Sequence, residues 1–207
     1  MKKMMLVLFV VVMILGCAKE QTTNAEFAEV TFTVDLSLLS EEYICSDIGI
    51  SFYPPLSWQQ INPELMTAVK KKLTASQDTT GSTILPLNVF MDNEKSFTCF
   101  ISVFISELPA DKTLENYLNE IRIKNQDLNI NEGTFAHNGL GFHQLIFTKG
   151  DKITVKLIAL NSEQKVFMVD YVVPFKYYEE ELRTIESSIG TIKKTKDEIG
   201  LPDKTDS

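Results

Sequence analysis

Few side chains in this sequence have types and spacings suited to chemistry. There are two histidines, His137 and His143. Asn138-Gly139, the strongest two-residue hairpin signal, lies between them. That turn sets residue 137 opposite 140, so His143 falls three steps along the partner strand, ~10 Å away at ~3.3 Å per residue. The two cannot share a metal without rearrangement, and each is read as a polar strand position. Gly-x-Ser-x-Gly, His-Glu-x-x-His, a P-loop and Gly-x-Gly-x-x-Gly are all missing, so catalytic site residues, metal ligands and cofactors are expected to be none. Among the carboxylates, Asp170 alone interrupts an apolar strand face, that of Val166, Met168 and Val172. It is either a poised acid or an exposed or hydrogen-bonded strand residue. Trp58, with Tyr53 and Pro55 nearby, is the candidate contact surface, because aromatic residues dominate binding hot spots. The alternative is that Trp58 packs in the core.

Cys17 has the most specific context. Lys2 and Lys3 precede an uncharged apolar run over residues 4–15, and Gly16 stands before the cysteine. A run of about a dozen residues is short of the ~20 that cross a bilayer, and suits the core of a secretory signal. Ile14-Leu15-Gly16-Cys17 resembles a bacterial lipobox. The resemblance implies a diacylglycerol thioether on Cys17, cleavage before it, and acylation of the new amine by a chain such as palmitate. Two or three acyl chains anchor stably where one is marginal. Ala18, rather than Asp, favours the outer membrane where there are two. The domain is then expected outside the cytoplasm, on the cell membrane or outer membrane.

The first seventeen residues hold two of the 20 basic and none of the 28 acidic residues, so the remainder carries a net charge of −10. That balance argues against nucleic acid and against an anionic bilayer as partners of a basic face. Two further cysteines remain, Cys45 and Cys99. Outside the cytoplasm they can form a disulfide if their strands are neighbours. Otherwise they are buried thiols acting as small hydrophobes.

Residues 18–28 are polar and aperiodic, as in a tether, and residues 30–36 alternate as in one early strand or the ordered end of that tether. Residues 43–46 and 48–53 read as short strands, ended by Pro54-Pro55, with Trp58 in the loop beyond. Asn62-Pro63 opens a helix whose stripe is Leu65, Ala68, Val69 and Leu73. Its Lys70–Lys72 run is a solvated, dipole-matched end. Residues 84–91 and 96–106 form a hairpin whose second strand is apolar on one face and half apolar on the other, as in a central strand covered on both sides. A helix over 111–127 follows, capped by Thr113 or Asp111. Four strands over 130–173, joined by short turns, make an antiparallel meander. A closing helix over 175–189 carries Tyr178, Leu182, Ile185 and Ile189 at helical spacing and stops at Gly190.

Two stretches resemble the PsbP-like family of α/β/α sandwich proteins. The first is Gly49-Ile-Ser-Phe-Tyr-Pro54 followed by Trp58, with Pro55 lengthening the step by one. The second is Gly150-Asp-Lys-Ile-Thr-Val through Gln164-Lys-Val-Phe-Met-Val-Asp-Tyr171, leading into Tyr177-Tyr178 and Ser187-Ser188-Ile189. The resemblance implies an α+β fold, an antiparallel sheet with helices on both faces, and binding or assembly rather than catalysis. No basic surface for photosystem docking is present, so no partner is carried over. The expected organisation is a signal over 1–17, a tether over 18–40, a domain over 41–193 and a loose tail over 194–207. The expected role is a lipid-anchored, non-catalytic envelope lipoprotein that docks an unidentified envelope protein, through the Trp58 loops or a sheet edge. The alternative is a small-ligand binder with a pocket between sheet and helix.

Overall fold

A computed structural model describes residues 27–76, 83–92, 94–95, 99–107 and 112–195. Cys17 and its signal, the loop after residue 76 and the tail beyond 195 lie outside the described residues. A strap over 27–40 contains a 3-10 turn, Leu36–Leu38. Then come β1 (Tyr43–Cys45), β2 (Ile50–Phe52), β3 (Trp58–Gln60), α1 (Pro63–Ser76), β4 (Thr83–Asp92), β5 (Phe100–Glu107) and α2 (Leu114–Lys124). The meander is β6 (Ile130–His137), β7 (Leu140–Lys149), β8 (Lys152–Leu160) and β9 (Val166–Pro174). After a 3-10 turn at Phe175–Tyr177, α3 (Tyr178–Ile189) and β10 (Lys193–Lys194) close the described chain.

The main sheet is antiparallel with the order β3-β4-β5-β9-β8-β7-β6, and a small second sheet has the order β1-β2-β10. The meander pairs in series, through two-residue turns at 138–139 and 150–151 and a five-residue turn at 161–165, with Asn138 and Gly139 at φ 50° and 73° as a type I′ turn requires. Its last strand, β9, then pairs with β5, so both are interior strands, as the two-sided apolar pattern of residues 96–106 predicts. On one face of the sheet, Ile101, Val103, Leu157, Phe167, Val169 and Tyr171 pack with Ile185 and Ile189 of α3 and with Ile50 and Phe52 of the small sheet. On the other, Leu145, Ile158, Val166 and Met168 pack under Tyr117 and Leu118 of α2. This is the α+β sandwich expected, with helices on both faces.

The helix ends follow local chemistry. Asn62 Oδ1 accepts from the Leu65 backbone N–H (2.8 Å). Thr113 and Asn116 form a reciprocal capping box. Gly190 ends α3, but not in the left-handed form that a glycine terminator predicts, since its φ is −64°. It is needed for close approach instead. A Cβ there would lie 2.5 Å from Phe32 Cβ and 2.8 Å from Val34 Cγ2.

That contact shows the largest departure from the expected organisation. The ordered body begins by Phe27, not near residue 41. Val30 N–H donates to Ala136 O and Ala136 N–H to Ala28 O (both 2.8 Å), a parallel bridge on the edge of β6. Asp35 N–H donates to Ser187 Oγ (3.2 Å), and Phe32 meets Phe135 and His137 edge to face. The alternation of Val30, Phe32 and Val34 is that of a chain lying on an edge, which its polar lead-in obscures. At the other end, Lys193 and Lys194 pair with β2, so the loose tail cannot begin before residue 195.

Candidate functional site

The structure separates the residues that sequence brought together as a contact surface. Trp58 is 2% exposed and belongs to the main core. It lies on a strand rather than in a loop: its backbone N–H donates to Pro55 O (3.0 Å), and it pairs with Asp92 across β3 and β4. The turn after the two prolines sends the chain back along the sheet and drives the indole inward. Pro55 is buried beside Leu39. Tyr53 is half-buried and tied down, its N–H donating to Thr191 Oγ1 (2.9 Å) and its carbonyl accepting from Ser188 Oγ (2.7 Å). Tyr53, Pro55 and Trp58 therefore do not make a docking surface.

Cys45 and Cys99 are both buried and not bridged. Cys45 ends a strand of the small sheet and Cys99 precedes β5 of the main one. They face the same core as small apolar groups, and burial pushes the Cys45 thiol up.

The histidines lie on opposite faces. His143 stands opposite Thr134, three residues from His137, and strand residues alternate sides. His137 joins the strap to the last helix, with Nδ1 2.8 Å from Val30 O and Nε2 2.9 Å from Gly190 O. His143 meets Phe27 edge to face at 5.3 Å. No group of three potential metal ligands occurs among the described residues. Asp170 sits between Ser102 of β5 and Lys156 of β8 in one cross-strand row. Its Oδ2 pairs with Lys156 Nζ at 2.5 Å, while Oδ1 is buried without a partner.

What sequence reading did not locate is a cavity of about 420 Å³ between sheet, strap and α3. Its floor is Phe135, Gln144, Ile146 and Val155. Val30 and Phe32 of the strap wall one side. The roof is the apolar stripe of α3, Leu182, Ile185 and Ile189, with Tyr178 and Glu186 beside it. Glu186 is the one charged residue in this lining. Burial pushes the Tyr178 hydroxyl up, and the Glu186 charge adds to the effect. The helical period of α3 was legible in sequence, but the gap beneath it depends on where the strap stops.

Two other recesses are less suited to a ligand. One of about 280 Å³ lies on the opposite face among Leu118, Arg122, Glu132 and His143. There Arg122 is committed: Nε and Nη2 donate to Glu132, and Nη1 donates to Glu115 and Asn119. These bonds, Glu132's first, hold its guanidinium further up. The other, about 520 Å³ at the start of α1, is lined by Gln60–Pro63, Met66, Leu87 and Asn88 and has no charged lining residue. It is larger, but it lies at the sheet margin. The cavity under α3 opens directly onto the main core.

In architecture the chain is similar to the solution structure of cyanobacterial PsbP from Synechocystis sp. PCC 6803. The TM-score is 0.51 at 16% identity, covering 75% of this chain and 92% of that one. Weaker likenesses are a protein from Bacteroides thetaiotaomicron VPI-5482 (TM-score 0.39, 13% identity, 77% of this chain and 50% of that one) and the protein of unknown function PA94 from Pseudomonas aeruginosa (TM-score 0.40, 8% identity, 73% and 94%). No family model and no curated protein matches the sequence. The fold is thus PsbP-like, in agreement with the resemblance carried by residues 49–58 and 150–189. At this identity the likeness concerns the fold, and function rests on the site.

Proposed function

We propose that this chain is a non-catalytic lipoprotein of the bacterial cell envelope, anchored through Cys17, that binds a small and largely apolar ligand under α3. The observation that carries this is the cavity itself. Its volume lies within the ~300–1,000 Å³ of small-molecule sites, and it combines an apolar lining with a few polar groups. The burial of Trp58 moves weight from protein docking to ligand binding. The test is native mass spectrometry of the detergent-purified full chain with decanol, in which micelles are stripped before masses are read. One equivalent is expected on the wild type. Leu182→Trp, which fills the cavity from its roof, should abolish it, while Ile44→Ala, at an exposed site on β1, should not. Equal binding to all three, or none to the wild type, overturns the assignment.

A second reading, docking of an envelope protein, is favoured by the edge of β6. The strap pairs there at Ala136, and the strand's period turns the backbone groups of Thr134 and Glu132 outward as well. Both residues are exposed, and although β7 pairs with them on its side, their outward N–H and C=O groups carry no backbone bond among the described residues. Such an edge can accept a partner strand.

A further inference from the structure

We infer that the cavity under α3 selects amphiphiles with a cationic head, a hydrophobic amine rather than a fatty acid. This rests on the ligand-binding reading above and names the ligand class of the same site. Along α3, Tyr178, Leu182 and Glu186 recur every four residues and form one row, ~12 Å long at 1.5 Å per residue. Ile185 and Ile189, buried beside that row, face the core. The row is therefore the rim: apolar at Leu182, hydroxyl at Tyr178, carboxylate at Glu186. Glu186 is exposed, and among the described residues its carboxylate has no ion-pair partner. No Lys, Arg or His lines the cavity. A carboxylate ligand would set its head near Glu186 with nothing to neutralise it, whereas an ammonium head meets an open acceptor.

Size limits the tail. At ~30 Å³ per small group, water's share of liquid volume, 420 Å³ holds about a dozen heavy atoms. A ten-carbon chain fits with its head at the rim. The excess negative charge of the chain favours a cation in the same sense.

Native mass spectrometry of the full chain with decylamine, decanol and decanoic acid separates the possibilities. Decylamine is expected to bind severalfold tighter than decanoic acid. Glu186→Gln should weaken the amine about three- to fivefold, the scale of one exposed ion pair, leave decanol unchanged and narrow the gap to the acid. Raised salt should weaken the amine and not the alcohol. Glu186 is exposed, so the variant should melt with the wild type, and a melting curve checks this. Decanoic acid binding as tightly as decylamine, with decanol retained, overturns the inference and leaves the ligand-binding reading standing. Failure of all three to bind removes both.

Discussion

At the scale of single residues, three groups that looked functional serve the fold. His137 ties two chain segments together through their carbonyls, and Trp58 fills the core. Asp170 neutralises a lysine on the neighbouring strand. Tyr171, fully buried, meets Ser188 Oγ at 2.9 Å, and burial raises its hydroxyl's pKa. His143 instead ties stability to pH. Burial is the main cause lowering its pKa below 6.5; Arg122 lowers it further, while Glu115 and Glu132 oppose. The folded state therefore binds this proton less readily than the unfolded chain does. Above the unfolded value the neutral ring carries no penalty; as pH falls below it and through the folded value, stability is lost. Melting temperature should drop as pH falls below about 6.5, and His143→Gln should make that fall shallower. An identical pH profile in the variant would rule the residue out as a source of acid sensitivity.

At the scale of elements, the strap lies against the body within the 18–40 stretch read as a tether with one early strand, and its hold on α3 can be tested. It depends on the bond from Asp35 N–H to Ser187, the two His137 contacts and the space left by Gly190. In Gly190→Ala the new methyl would overlap Phe32 and Val34, whose backbone or rotamers must shift. Overpacking of this kind costs about 1–3 kcal/mol. The expected result is a lower melting temperature together with faster amide exchange at Val30 and Asp35, while the central strand β9 keeps its protection. Slowed or unchanged exchange at those two amides would mean that the strap is not seated by this contact. Since Val30 and Phe32 wall the cavity, the same variant should also weaken decanol binding.

At the scale of the whole molecule, the distance from anchor to body follows from chain length. Ten Cα steps separate Cys17 from Phe27, a span of at most ~35 Å. A lipid on Cys17 would hold the domain close to the bilayer, with its first described residue at the β6–β7 margin. Cys17→Ser should move the protein from the membrane fraction to the soluble fraction and remove the acyl mass. Retention of both would overturn the lipoprotein reading. No helix among the described residues is long and apolar enough to cross a membrane.

The sequence by itself determined the elements whose cause is local. The Asn138-Gly139 turn set the β6–β7 register, Asn62 fixed one helix start and Asp111 or Thr113 bounded another, and the period of Tyr178, Leu182, Ile185 and Ile189 fixed the buried face of α3. Each rests on side chains within a few residues of the backbone they control. Only the tertiary structure decided what depends on distant partners: the pairing of β5 with β9, the docking of the strap on β6, the inward turn of Trp58, the separate placement of Cys45 and Cys99, and the cavity. A cavity is the space left between elements, and no local pattern encodes it. Its strap wall, Val30 and Phe32, and its roof, Ile185 and Ile189, lie more than 150 residues apart along the chain.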